Sequence, residues 1–267
     1  MERELPFITI SGTEFLIEVE NLQLVQRGNP ANTISIFEMD DDGNGYSFNY
    51  CRNNKTIQGP GWQRPDLVRV HLPELVEMDP EGMAAKYGLP LSDLKGKRDL
   101  DVMVDKEALE LRLKGRLPTM EIAGHVFYVD IHMDMLRPHD DFQSKGIRFE
   151  DLEIYYDNEG TGEYIIPYHP GRREFEDVDL HNMVEFPKDL ILVGFPHERF
   201  LDPIGCNRKA GYDKLHGLKK TPVKTHFSAR AVDLKGTIFQ RIMDRNRGRL
   251  EKKESRGRRP KQGPRKI

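Results

Sequence analysis

Leu5-Pro6-Phe7-Ile8-Thr9-Ile10-Ser11-Gly12-Thr13-Glu14-Phe15-Leu16-Ile17-Glu18-Val19 aligns without a gap on Leu117-Pro118-Thr119-Met120-Glu121-Ile122-Ala123-Gly124-His125-Val126-Phe127-Tyr128-Val129-Asp130-Ile131. In both copies a strand-like run leads to a glycine and then to alternating apolar positions (Phe15, Ile17, Val19; Phe127, Val129, Ile131), the signature of a β-hairpin. The correspondence continues outward: Tyr46-Ser47-Phe48-Asn49-Tyr50 meets Tyr164-Ile165-Ile166-Pro167-Tyr168. Asp79-Pro80-Glu81-Gly82 with Lys86 and Gly88 meets Asp202-Pro203-Ile204-Gly205 with Lys209 and Gly211. Apolar patterning alone does not reproduce that last spacing, so the chain reads as a tandem duplication.

The order of signals within each copy predicts an α+β fold, a duplicated and mainly antiparallel β unit with short helices. Gly/Asn/Asp runs at 40–45 and 157–162 mark further hairpins, and strands are expected at 67–72 and 190–195. Asp79-Pro80 and Asp202-Pro203 place a cap and a first-position proline before short helices that stop at Gly88 and Gly211. A closing strand is expected at Asp101–Val104 in one copy and Phe227–Val232 in the other. The expected domains are repeat unit 1 over 1–104, a linker helix over 105–116, repeat unit 2 over 117–233, and a basic, disordered tail over 234–267 with a short helical lead-in. Ile238, Phe239, Ile242 and Met243 suit that lead-in to docking on an apolar surface.

The 267 residues are 37% hydrophobic and 32% charged, the composition of a globular chain with a strongly solvated surface. No apolar run approaches a membrane span and no signal-peptide pattern opens the chain, so a cytoplasmic protein without membrane contact is expected. Cys51 and Cys206 fall at non-equivalent points of the two copies, which predicts free thiols. The net charge of −3 hides a division: residues 235–267 carry 13 Lys and Arg against 3 Asp and Glu, whereas residues 1–234 carry 28 against 41.

That tail is the clearest interaction element. Arg245, Arg247, Arg249, Arg256, Arg258, Arg259, Lys261, Arg265 and Lys266 form a candidate nucleic-acid contact for DNA or RNA. Cations of this kind neutralise phosphates and release counterions without reading sequence. The weaker candidate set is His125, Asp130, His132, Asp134 and His139, with Asp130, His132 and Asp134 on one side of an extended strand, as a metal site would need. It lacks any two-histidine helical spacing. No cofactor motif is present. Met83–Leu94 resembles the middle of a helix-turn-helix, but its counterpart in the second copy carries Gly217 in the would-be recognition helix.

The repeated Leu-Pro-x-x-x-Ile-x-Gly and Asp-Pro-x-Gly blocks, with the Arg/Lys-rich tail, resemble a group of uncharacterised two-repeat proteins from the Bacteroidetes, some encoded near mobile-element genes. The resemblance implies a role in DNA transfer or maintenance and attaches no activity, cofactor or catalytic residue. The expected function is a non-enzymatic binding or accessory protein, its body for a protein partner and its tail for nucleic acid. The alternatives are a metal-dependent enzyme using the His/Asp group and a purely structural scaffold.

Overall fold

The computed structural model describes residues 3–58, 65–140, 144–158 and 160–257, with the side chains of the last helix described through Lys252. It is an α+β fold whose sheets are mainly antiparallel. Two compact units divide the chain: residues 1–113 with 211–223, and residues 114–210 with 224–267.

In the first unit, β1 (Phe7–Ile10), β2 (Thr13–Glu18), β3 (Gln23–Gln26) and β4 (Thr33–Ser35) form one sheet in that order. The β1–β2 turn has positive φ at both Ser11 (47°) and Gly12 (82°), as a two-residue hairpin with matching twist requires. In a second sheet the central strand β6 (Tyr46–Cys51) pairs with β5 (Asp40–Asp41) and β7 (Thr56–Ile57), and also with β8 (Leu67–Leu72). Helices α1 (Leu75–Met78), α2 (Pro80–Tyr87), α3 (Asp99–Met103) and α4 (Lys106–Leu113) follow. Phe15, Leu24, Ile34, Phe48, Tyr50 and Met83 centre the core between these layers.

In the second unit, β9 (Thr119–Ile122), β10 (His125–Asp130), β11 (Met135–Pro138) and β12 (Ile147–Arg148) take the order of the first sheet. The β9–β10 turn has φ of 50° at Ala123 and 83° at Gly124. The other sheet holds β13 (Glu163–His169), β14 (Glu174–Phe175) and β15 (Ile191–Pro196), with α5 (Glu198–Leu201) and α6 (Pro203–Ala210) behind them. Then β16 (His226–Ser228) joins β9 in parallel and β17 (Arg230–Ala231) joins β15 antiparallel, before the terminal helix α7 (Ile238–Gly257). The core centres on Phe127, Val129, Tyr164, Phe195, Leu201 and Phe239.

The Asp-Pro-x-Gly block is a structural device in both units. Asp79 Oδ1 accepts the Gly82 amide at 2.9 Å and Asp202 Oδ1 accepts the Gly205 amide at 2.9 Å, capping α2 and α6. A Cβ on Gly82 or Gly205 would lie 2.1 or 2.2 Å from the capping carboxylate, so glycine is required by contact. The lysine four residues beyond each glycine ties the helix to a hairpin turn. Lys86 Nζ donates to the Glu20 carbonyl, and Lys209 Nζ lies 2.6 Å from Asp134 Oδ1.

Three expectations need correction. Residues 101–104 do not form a strand: α3 spans Asp99–Met103, because the buried Asp99 carboxylate accepts the Leu75 and Val76 amides (2.8 Å each) and the Tyr46 hydroxyl (2.6 Å). Asp101 also accepts the Arg98 amide at 3.0 Å, fixing the first turn. Residues 211–223, expected in repeat unit 2, belong to the first unit, where Lys219 is buried among acidic groups. The helical lead-in is not short, since α7 runs for 20 residues. After Gly88 only a single 3₁₀ turn forms, Leu91–Leu94, in the place of a recognition helix.

Candidate nucleic-acid interface

Helix α7 begins where Thr237 turns the chain: its hydroxyl donates to the Leu234 carbonyl (2.7 Å) and accepts the Gln240 amide (3.4 Å). Three of the four apolar residues at its start fix its rotation. Phe239, Ile242 and Met243 are buried, and the Phe239 ring stacks on Tyr155 at 5.7 Å and meets Phe186 edge-on at 5.9 Å. Ile238 stays 45% exposed. One turn on, buried Asn246 donates to the carbonyls of Leu180 (3.0 Å) and Met183 (2.9 Å). These bonds satisfy a loop whose carbonyls have no ladder of their own.

That rotation decides which cations face solvent. At 100° per residue, Arg241, Arg245, Arg249 and Lys252 fall within about 80° of arc beside the buried face, with Arg241 farthest from it and Arg249 at its border. Arg241 and Arg245 are exposed, and among the described residues neither side chain has a hydrogen-bond or ion-pair partner. Arg249 is exposed but donates to the His181 carbonyl at 2.6 Å, while Arg247 Nε donates to the Val184 carbonyl at 2.8 Å and pairs with Asp244 at 3.3 Å. Two of the three described candidate arginines are therefore partly occupied in holding the 181–184 loop. The backbone of Arg256 continues the stripe. Arg258, Arg259, Lys261, Arg265 and Lys266 lie outside the described residues.

Arg241 also borders a cleft of about 430 Å³ at the start of α7, which it shares with Lys235, Arg230, Tyr156 and Ile238. Arg230 is committed to Glu163, its Nε at 2.9 Å and a terminal nitrogen at 2.7 Å. Arg241, Lys235 and Lys252 are cations outside the candidate set. An i, i+4 arginine spacing from 241 to 249 was the signal available for the first of them.

The weaker His/Asp set does not share a strand face. Strand β10 ends at Asp130, and Asp134 sits in the following turn with φ of 57°, so the extended geometry that would align Asp130, His132 and Asp134 is absent. Asp130 accepts the Met133 amide (3.1 Å) and Arg137 Nε (3.2 Å), and Asp134 is paired with Lys209. His125 opens β10, His132 is exposed, and His139 Nδ1 lies 2.5 Å from Asp140. Among the described residues no group of three or more His, Cys, Asp or Glu is placed to hold a metal ion.

Cys51 and Cys206 are free. Burial, reinforced by the charges of Glu198 and Asp202, pushes the Cys206 thiol up to about 12, the opposite of an activated nucleophile. Burial and a hydrogen bond to Glu198 also raise the Tyr164 phenol above its ordinary value. Among the described residues no helix is long and apolar enough to cross a membrane. No family model, curated protein or solved structure matches the chain.

Proposed function

We propose that the chain is a non-enzymatic accessory protein made of two copies of one α+β unit, whose body binds a protein partner and whose terminal basic segment contacts the phosphate backbone of nucleic acid. Duplication is supported by the same sheet order, the same left-handed hairpin turns at 11–12 and 123–124, and the same carboxylate caps at Asp79 and Asp202. A setting near mobile-element DNA follows from the sequence resemblance alone.

The observation that carries the nucleic-acid reading is the division of α7 into a buried face (Phe239, Ile242, Met243, Asn246) and a solvent stripe of cations beginning with Arg241 and Arg245. From Arg241 to Lys252 that stripe is about 16 Å long at 1.5 Å per residue. It contains no aromatic side chain on which a base could stack, so backbone contact without sequence preference is the chemistry it supports.

The test is fluorescence anisotropy with labelled single- and double-stranded DNA and RNA, comparing the full chain with the double variant Arg241→Glu/Arg245→Glu. Truncation at Asp233 is unsuitable because it withdraws Phe239 from the core. Salt-sensitive binding that the double variant loses supports the reading. Equal binding by both proteins, or binding by neither at low salt, overturns it.

A further inference from the structure

Strands β1 and β9 occupy equivalent places in equivalent sheets, yet their outer edges differ. In the second unit β16 lies along β9 in parallel register, His226 beside Thr119, Phe227 beside Met120 and Ser228 beside Glu121. Thr119 donates its amide to the Thr225 carbonyl (3.0 Å), and the Glu121 carbonyl accepts the Ala229 amide (2.8 Å). The same segment then becomes β17 and lies along β15, where the Leu192 carbonyl accepts the Val232 amide at 2.9 Å. One extended stretch, 225–232, thus closes both sheets of its unit.

Among the described residues the first unit has no such stretch. Its sheets end at β1 and β8, and among the described residues no strand pairs with the outer edge of either. Residues 99–103, which come at the corresponding point in the chain order, are wound into α3, where Glu74 accepts the Asp99 amide and Asp101 the Arg98 amide. The counterparts of Thr119 and Glu121 are Phe7 and Thr9. Ile8 and Ile10 face β2 for their ladder bonds, as the two-residue turn after Ile10 dictates, so the peptide groups of Phe7 and Thr9 point outward.

Burial follows the same difference. Met120, beside Phe227, is fully buried, whereas its counterpart Ile8 is only half-buried, and Phe7 is 51% exposed. An open edge with an apolar residue at its centre is a template for another strand.

We propose that the first unit is completed by an extended segment of a partner protein, added parallel to β1 with an apolar side chain beside Ile8, and continuing along β8 as 230–231 continues along β15. This rests on the reading of the body as a protein-binding unit and names its surface. Main-chain hydrogen bonds to Phe7 and Thr9 supply the affinity, and the apolar side chain over Ile8 supplies the selectivity, as in strand-addition complexes generally. About six residues, some 20 Å of extended chain, suffice to span both edges.

The test presents the closing strand in trans. Two labelled peptides, the chain's own 223–232 segment and the same segment with valine at the position of Phe227, are titrated against the full protein by anisotropy. Bound amides are mapped by hydrogen exchange. Saturable binding by either peptide, with slowed exchange at Phe7 and Thr9, is the expected result. Thr9→Pro deletes only an outward N–H, which an edge strand tolerates, and is expected to weaken binding by about tenfold without lowering the melting temperature. Failure of both peptides, protection elsewhere, or a dimer of this chain formed through β1 overturns the proposal. Because the peptides do not touch α7, such a failure beside intact salt-dependent DNA binding leaves the nucleic-acid reading standing.

Discussion

Lys219 Nζ lies 3.1 Å from Glu74 Oε1, and both side chains are 3% exposed. Asp41 is 2.8 Å from the same ammonium, and the Tyr46 ring sits 4.8 Å from it. Glu74 in turn accepts the Asp99 amide at 2.7 Å. A residue 145 positions along the chain therefore neutralises two carboxylates in the first unit.

Removing that cation leaves buried acid without a counter-charge, which costs far more than an exposed pair is worth. Lys219→Ala is expected to destabilise the protein by about 3–5 kcal/mol in urea unfolding, against about 1 kcal/mol or less for Arg27→Ala, which loses the exposed pair with Glu14. Equal effects would show that the Lys219 site is as well solvated as the surface. By the same reasoning, residues 1–113 alone lack Lys219 and are expected to give no dispersed amide spectrum unless a 211–223 peptide is added.

The block at Gly205 makes a second prediction. Gly205→Ala sets a methyl group against the Asp202 carboxylate that caps α6, so either the cap is lost or the helix start moves. A loss of about 1–2 kcal/mol is expected, the cost of an N-cap, where alanine in an open helical position would be mildly stabilising. Gly248→Ala in α7, where nothing lies within 4 Å of the new methyl group, is the control expected to hold or raise stability.

Alkaline pH separates the two states of the protein. Tyr46, Tyr155 and Tyr164 are each raised by burial first and then by carboxylates, Asp99, Asp177 and Glu198 respectively. An acid whose folded pKa is raised stays protonated in the native state while the unfolded chain releases its proton. Stability is then full below the unfolded phenol value and falls as pH climbs above about 10. Cys206, pushed up to about 12, adds to the fall from about pH 9. A melting temperature unchanged between pH 8 and pH 10.5 would contradict these directions. At pH 8 native Cys206 is expected to react with iodoacetamide at least about tenfold more slowly than in urea.

The hairpins, the caps and the helix stops were legible in the sequence because each is a local event encoded by two to four residues. Asp79-Pro80 states a helix start wherever it occurs, and Ser11-Gly12 a tight turn. What escaped was set by distant partners. Nothing near Lys219 signals Asp41 and Glu74, and nothing near Asp99 signals the α1 amides that convert a strand-like Leu-Asp-Val-Met-Val into a helix. The Ser, Gly, Pro and Gln among the cations of 256–266 argue for a disordered tail, and residues 258–267 lie outside the described residues, but Phe239, Ile242, Met243 and Asn246 anchor the first turns of α7, which runs to Gly257. Propagation from an existing nucleus is cheap. Asp130 and Asp134 looked like strand neighbours because their spacing is even, a pattern that a four-residue turn shares.

The arginines of α7 look alike in the sequence but differ in what they hold, and this yields the sharpest test of the terminal helix. Arg247 donates to the Val184 carbonyl and pairs with Asp244, whereas Arg245, two residues earlier, has no partner among the described residues. Arg247→Ala strips a hydrogen bond from a loop carbonyl and is expected to cost about 1–2 kcal/mol in urea unfolding. Arg245→Ala is expected to leave stability within about 0.5 kcal/mol, the usual range for an exposed site. On nucleic acid the order is expected to invert. Arg245→Ala should lower the slope of log K against log salt by about one phosphate contact and weaken DNA and RNA of every sequence alike, with a smaller change for Arg247→Ala. If the two variants lower affinity equally while only Arg247→Ala loses stability, binding follows the integrity of the 181–184 loop rather than the charge stripe, and the interface must be sought on that loop instead.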